Sequence, residues 1–338
     1  VTTTELSRRG AGRRTAVDVL GGEPDDATLR RFLHGLPGVD AVGLEQRAAG
    51  LGTRSIKTSS KAWALDKIIS LIDLTTLEGA DTAGKVRSLV AKAKTPDASD
   101  PSTPLVAAVC VYGDMVGHAV EALGALHGDP DEGRISVAAV ATAFPSGRSS
   151  IDIKLADTAE AVAAGADEID MVIDRGAFLE GRYGFVFDQI ARVKQACRRE
   201  DGSYASLKVI METGELNTYD NIKRASWLSI LAGGDFIKTS TGKVQPAATL
   251  PTTLLMLETV RDWHGATGEK IGVKPAGGIR SSKDAIKYLV TVAETAGEEW
   301  LQPHLFRFGA SSLLNDVLLQ RQKITTGHYS GPDYVTID

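Results

Sequence analysis

The sequence predicts a (β/α)8 barrel with a short helical extension in front of it, and three observations carry that expectation. Between about Ile69 and Lys323, short β-branched apolar runs alternate eight times with amphipathic helical stretches. The runs are nearly continuous in apolar character, as strands buried on both faces of a helix-covered parallel sheet must be. Eight such units in about 255 residues match the size of one barrel. A doubly wound open sheet is the competing arrangement, because closure is not written in a sequence, but no Gly-x-Gly-x-x-Gly fingerprint follows the first strand.

The strand-like runs are Ile69 to Leu74, Leu105 to Tyr112, Ile135 to Phe144, Ala166 to Ile173, Leu207 to Thr213, Asp235 to Thr239, Ile271 to Lys274 and Leu305 to Phe308. Helical periodicity occupies Thr82 to Ala93, Met115 to Leu126, Thr158 to Ala164, Tyr219 to Ala232, Thr249 to Trp263 and Lys283 to Ala296. Several of these end in Gly, the usual helix stop. Residues 1–55 form an extension with helices expected from Asp26 to His34, closed by Gly35, and from Asp40 to Ala49. The barrel is expected over 56–325, and 326–338, with Gly327, Gly331 and Pro332, reads as an irregular mobile tail.

Composition narrows the function. The chain has 338 residues, 43% apolar and only 6% aromatic, so it can bury a large core and is neither disordered nor a mini-protein. A net charge of −5 gives no bulk attraction to nucleic acid or to an anionic membrane. No apolar run approaches the roughly 20 residues of a bilayer span. Two cysteines, Cys110 and Cys197, read as free thiols of a reducing compartment, and a cytoplasmic location is expected. Arg8, Arg9, Arg13 and Arg14 hint at an organelle transit peptide, but Glu5 and Asp18 interrupt it.

A barrel of this class places its chemistry at the carboxyl ends of the strands. There the first strand offers Asp73, Thr75 and Thr76, the second Cys110 and Tyr112, the fourth Asp170, and the fifth Lys208 and Glu212. The sixth ends in Lys238, followed by Thr239-Ser240-Thr241-Gly242-Lys243, and the seventh in Lys274-Pro275-Ala276-Gly277-Gly278. Lysines inside strands are the anomaly, since a buried ammonium is costly unless paired or deprotonated. One reading makes one of Lys238 and Lys274 a Schiff-base nucleophile and the other the charge that lowers its pKa, with Asp170 bridging the pair. A lysine of pKa about 10.4 is a free amine only about once in 2,500 molecules at pH 7, so the nucleophile needs a shift of about three units. The competing reading is purely structural, with both lysines salt-bridged to Asp73, Asp170 or Glu212.

Phosphate-binding loops beside the lysines favour the catalytic reading. Gly277-Gly278 follows the seventh strand, Gly309-Ala310-Ser311-Ser312 follows the eighth and opens a helix, and Gly242 with Lys243 adds a charged third loop. Cys110 has no histidine placed to serve it and reads as a small buried apolar group. The six histidines show no ligand spacing, so no metal site and no cofactor are expected.

The stretch Phe236-Ile237-Lys238-Thr239-Ser240-Thr241-Gly242-Lys243 closely resembles the deoxyribose-phosphate aldolase family of class I, Schiff-base aldolases with a (β/α)8 fold. The resemblance continues through Ile72-Asp73-Leu74-Thr75-Thr76-Leu77, Gly165-Ala166-Asp167-Glu168-Ile169-Asp170, Lys208-Val209-Ile210-Met211-Glu212-Thr213-Gly214, Val273-Lys274-Pro275-Ala276-Gly277-Gly278 and Phe306-Arg307-Phe308-Gly309-Ala310-Ser311-Ser312. It covers about three quarters of the chain. It implies reversible cleavage of 2-deoxy-D-ribose 5-phosphate to D-glyceraldehyde 3-phosphate and acetaldehyde, without metal or cofactor. Lys238 would form the imine, Lys274 would tune its pKa, and Asp170 with a water would move protons. Asp73, Thr76, Cys110 and Lys208 match pocket positions, and Gly242, Lys243, Gly277, Gly278, Ser311 and Ser312 fall where the phosphate binds. The resemblance also implies a homodimer with a sugar phosphate as its small-molecule partner.

Three departures from the family pattern stand out. Gly113-Asp114 follow Tyr112 where relatives often carry Pro and a basic residue, and Ala143 replaces a residue that is polar in many of them. In some members a C-terminal Tyr closes over the substrate; here Tyr329 and Tyr334 both compete for that part. The alternatives that remain are another Schiff-base sugar-phosphate aldolase or a transaldolase, and a non-catalytic sugar-phosphate binder.

Overall fold

Eight parallel strands pair in chain order, from β1 (Ile72–Thr75) through β2 (Ala108–Tyr112), β3 (Ser136–Ala141), β4 (Glu168–Val172), β5 (Ser206–Ile210), β6 (Phe236–Lys238) and β7 (Gly272–Lys274), with β8 (Phe308–Ala310) back beside β1. Between β7 and β8 the ring closes through parallel bridges Val273 to Phe306 and Ala276 to Gly309. The backbone bonds there, such as Gly309 N–H to the Pro275 carbonyl at 2.9 Å, complete the barrel and exclude an open sheet. The structure, a computed structural model, describes residues 15–54, 56 and 58–328.

Outside the barrel run α5 (Ala83–Lys94), α6 (Val116–Leu123), α7 (Ile151–Ala163), α8 (Arg175–Leu179), α9 (Tyr183–Ala196), α10 (Tyr219–Leu231), α11 (Leu250–Thr267), α12 (Ser282–Thr295) and α13 (Leu313–Thr326). Ahead of β1 lie α1 (Ala16–Leu20), α2 (Asp26–Gly35), α3 (Ala41–Gly52) and α4 (Thr58–Ser70). Asp25 and Asp40 cap α2 and α3 by accepting from the Thr28 and Gly43 backbone N–H groups. These helices lean on the barrel's own: α2 on α9 and α10, α3 on α11 and α12. Asp220 of α10 accepts from the Val39 N–H at 2.9 Å, and Asp26 accepts from the Gly184 N–H at 2.9 Å.

Several strands stop short of their apolar runs, for visible reasons. β3 ends at Ala141 because Thr142 and Ala143 turn to φ 63° and 61°, and β5 ends at Ile210 because Glu212 turns to φ 55°. β1 starts at Ile72, not Ile69, because α4 runs through Ser70. α7 starts seven residues before Thr158. Its Lys154 is wholly buried against the Gln189 amide oxygen, 2.9 Å away, so a core position of this helix carries a charged residue type and the period is masked. Among the described residues no helix is long and apolar enough to cross a membrane.

Candidate active site

Parallel pairing sets the charged side chains in register. Asp170 of β4 lies beside Lys208 of β5, and Lys238 of β6 beside Lys274 of β7. Because side chains alternate across a strand, Glu168 lies two residues below Asp170 on the same face. Glu168 is the first residue of β4, and Asp170 lies nearer its carboxyl end. All of these groups are buried, together with Asp73 of β1 and Arg307 just before β8.

Their contacts form a closed ring of alternating charge. Lys274 Nζ lies 2.5 Å from Asp73 Oδ2 and 2.7 Å from Asp170 Oδ2. Lys208 Nζ reaches Asp170 Oδ1 at 3.3 Å and pairs tightly with Glu168. Arg307 then spans Glu168, at 2.6 Å, and Asp73, at 2.5 Å, which closes the circuit. Three carboxylates face three cations. Lys238 stands outside the ring, its Nζ donating to Asp170 Oδ2 at 2.7 Å.

Ionisation follows from that arrangement. Burial pushes the Asp170 carboxyl up, but Lys208, Lys238 and Lys274 outweigh it and hold the group well below the ordinary range. Asp73 is likewise held down against burial, by Arg307 first and then Lys274. The two lysines part company. Burial lowers Lys274, yet Asp170 and Asp73 together overcome it and raise its pKa. Lys238 has the single carboxylate, and burial with the neighbouring Lys274 charge leaves its pKa lowered. A lowered lysine beside a permanently charged one is an amine that can act as a nucleophile.

The other predicted residues gather around this pair. Cys110 Sγ lies 4.0 Å from Asp170 Oδ2, and burial pushes its thiol up to about 11, so it stays protonated. It belongs to a small apolar cluster with Leu77, Ala138 and Val140, bordered by the edge-to-face rings of Tyr112 and Phe144. The Thr76 hydroxyl donates to Asp81 at 2.9 Å. Lys208 lies beneath Asp170, fully engaged by its two carboxylates.

The three glycine loops converge. Gly242, Gly277 and Gly278 adopt φ of 84°, 77° and 83°. A Cβ on Gly277 would lie 2.8 Å from Ala247 Cβ and 3.2 Å from Gly242 Cα, so glycine lets the β6 and β7 loops touch. The Gly277 N–H donates to the Gly309 carbonyl at 3.2 Å, which brings in the β8 loop. Ser311 and Ser312 are exposed at the start of α13. Lys243 Nζ lies 2.8 Å from Glu78, a contact between the loops after β6 and β1. Tyr329 and Tyr334 lie outside the described residues.

Sequence reasoning missed three participants. Glu168 and Arg307 complete the ring, and their signal was present in the sequence as charges inside apolar strand runs, the same anomaly that singled out the lysines. The third is Glu212, considered there only as a salt-bridge partner for the lysines. It is buried and accepts from the Thr241 hydroxyl at 2.5 Å and from its N–H at 3.2 Å, fixing the β6 loop. Burial raises its pKa against those hydrogen bonds.

A closed barrel with amines and carboxylates converging near the carboxyl ends of its strands is the framework of a (β/α)8 enzyme. A family model described as DeoC/LacD family aldolase matches residues 67–318, and the chain belongs to that family. It is an aldolase, a carbon–carbon lyase. Over 285 residues it is 44% identical to the deoxyribose-phosphate aldolase of Homo sapiens, covering 82% of this chain and 86% of that one. A putative deoxyribose-phosphate aldolase of Caenorhabditis elegans is 45% identical over 252 residues, covering 75% and 80%. Among solved structures, a putative deoxyribose-phosphate aldolase from Coccidioides immitis superimposes with a TM-score of 0.61 at 29% identity, covering 83% of this chain and 99% of that one. The fold is shared also with the deoxyribose phosphate aldolase of Aeropyrum pernix, described as a unique tetramer, with a TM-score of 0.54, 22% identity and coverage of 80% and 98%.

Proposed function

We propose that this aldolase cleaves 2-deoxy-D-ribose 5-phosphate reversibly to D-glyceraldehyde 3-phosphate and acetaldehyde, with Lys238 as the nucleophile. The observation that carries this reading is the charge imbalance at Asp170. Two lysines share one carboxylate oxygen, and only Lys274 has a second carboxylate of its own. Protonating Lys238 would add an uncompensated charge to a buried, already neutral ring, so the amine form is favoured.

The chemistry follows from that amine. Lys238 adds to the aldehyde carbon of the open-chain sugar, and loss of water gives a protonated imine. Asp170, through a water, takes the proton of the C3 hydroxyl. The C2–C3 bond breaks, its electron pair moves into the imine, and glyceraldehyde 3-phosphate departs from the resulting enamine. Protonation at C2 and hydrolysis release acetaldehyde and return the lysine. Lys274 stays charged throughout, stabilising the Asp170 carboxylate and opposing protonation of Lys238.

The remaining predicted residues take supporting parts. Asp73 and Lys208 hold Lys274 and Asp170 in place, and Thr76 shapes the pocket beside Asp81. The cluster of Leu77, Cys110, Ala138 and Val140 offers the two-carbon donor an apolar wall. Gly242, Lys243, Gly277, Gly278, Ser311 and Ser312 take the phosphate where the three loops meet, with one ammonium and a helix start aimed at it. We assign residues 1–55 to an N-terminal extension whose described helices α2 and α3 brace the outer helices, 56–325 to the barrel and 326–338 to a tail, of which Tyr329 and Tyr334 lie outside the described residues. A homodimer is the assembly that the family resemblance supports, and the two free cysteines favour a reducing, cytoplasmic location.

Intact-mass spectrometry after borohydride reduction with 2-deoxyribose 5-phosphate tests the reading. One reduced adduct on the peptide bearing Lys238, absent from Lys238→Ala together with turnover, is the expected result. Turnover without an adduct overturns the Schiff base. An adduct formed with dihydroxyacetone but not with acetaldehyde makes the enzyme an aldolase of a different donor class.

A further inference from the structure

The ring extends well past the pocket. Arg307 lies opposite Asp170 in the circuit, and Arg307 and Glu168 both line a cavity of about 1770 Å³ at the amino end of the strands, where Ser136, Ser206 and Phe236 also face. Neither touches Lys238 or the loops after β6, β7 and β8. Both nevertheless belong to a six-membered circuit whose net charge is zero, and Lys238 is bonded to that circuit through Asp170 alone.

The groups around Lys238 are few. Asp170 faces it from β4, Lys274 from β7 and the protonated thiol of Cys110 from β2, while Lys208 of β5 holds the other oxygen of Asp170. With local compensation used up, the charge of the whole circuit decides whether a proton on Lys238 is tolerated. A circuit that loses an anion becomes a cation and repels that proton; one that loses a cation becomes an anion and attracts it.

We propose that Glu168 and Arg307 are positioning residues of the aldolase reaction, which set the ionisation of Lys238 from the far end of the barrel without touching substrate. The inference rests on the Schiff-base reading of Lys238. A ring that merely braced the barrel would behave differently: cutting it anywhere would lower stability and activity together and leave the ionisation of Lys238 where it was.

The test uses the full chain and the initial rate of borohydride trapping of 2-deoxyribose 5-phosphate on the Lys238 peptide, followed from pH 5 to pH 10. Removing an anion in Glu168→Gln moves the midpoint of the acid limb down. Removing a cation in Arg307→Gln moves it up. A unit charge roughly 10 Å away at an effective dielectric constant near 20 gives about one pH unit in each direction. Arg307→Lys, which keeps the charge, leaves the midpoint in place. Shifts of the same sign, or none, in folded Glu168→Gln and Arg307→Gln overturn the proposal. If Arg307→Gln does not fold, Glu168→Gln and Asp73→Asn decide, since both remove an anion and both must move the midpoint down. An adduct on a lysine other than Lys238 in the unaltered enzyme overturns the Schiff-base reading instead, and does so before any variant is compared.

Discussion

Replacing Lys274 by Met removes one charge and little volume, and the consequence for Lys238 can be worked from the geometry. Both Nζ atoms lie 2.7 Å from the same oxygen of Asp170, so they are separated by at most twice that distance. Two like charges about 5 Å apart at an effective dielectric constant near 20 repel by about 3 kcal/mol, or about two pKa units. Without Lys274 that repulsion disappears, and the ring, one cation short, welcomes a proton on Lys238. The acid limb of kcat/KM, which reports the free enzyme, therefore moves up by about two units in Lys274→Met. At pH 7 the free-amine fraction, and with it kcat/KM for deoxyribose 5-phosphate cleavage, falls about 100-fold. Activity recovers as the pH is raised toward 10. A pH-rate profile of both proteins checks this. An acid limb that stays in place, with the loss equal at every pH, would refute the electrostatic account and leave Lys274 acting by direct proton transfer.

Two further expectations test other parts of the site. Lys243→Ala, removing the charge proposed to meet the phosphate, raises KM for 2-deoxyribose 5-phosphate by about 10- to 100-fold, as expected for a charge-assisted hydrogen bond. Steady-state kinetics on unphosphorylated 2-deoxyribose stay unchanged, and an equal loss on both sugars would place Lys243 elsewhere. Lys238→Met stabilises the fold at neutral pH. The folded pKa of Lys238 lies below its unfolded value, so the folded state binds fewer protons there. Its burial thus costs stability at every pH below the unfolded value of about 10.4, and the cost fades as the pH rises through it. Urea unfolding checks the gain at pH 7 and its decline toward pH 10.5; a variant less stable than the parent at pH 7 would contradict the lowered pKa.

The barrel was legible because parallel strands buried on both faces leave apolar runs that nothing else in the chain imitates. All eight runs contain or adjoin an observed strand, and the lysines stood out because charge inside such a run has few structural uses. What stayed hidden follows from local chemistry. α9 opens with Tyr183-Gly184-Phe185-Val186-Phe187, whose aromatic and glycine content conceals a helical period. The ends of β3 and β5 depend on left-handed backbone at Thr142, Ala143 and Glu212, residues whose types give no warning of it. Ala143, the departure from the family pattern after the third strand, lies at one of these turns. The ring was out of reach for a different reason: its six members come from β1, β4, β5, β7 and the approach to β8, and only register joins them.

The opposite ionisation of two lysines on neighbouring strands comes down to how many carboxylates each can touch. Lys274 touches two because Asp73 of β1 reaches it across β8, a strand that separates β1 from β7 in the barrel. The position on β8 in register with Asp73 is Gly309. A Cβ there would stand 2.7 Å from Ala276 Cβ, closer than real side chains approach, and crowd Lys274 Cε at 3.2 Å. The missing side chain is thus what lets an acid on one strand pair with a lysine two strands away. Gly309, read from sequence as the opening of a phosphate loop, has this second consequence inside the barrel. Lys238 has no such gap beside it and only one acid to hold, so burial prevails and its pKa is lowered. On the proposed reading, reactivity at this site is therefore set by which of two lysines has room to find a second carboxylate.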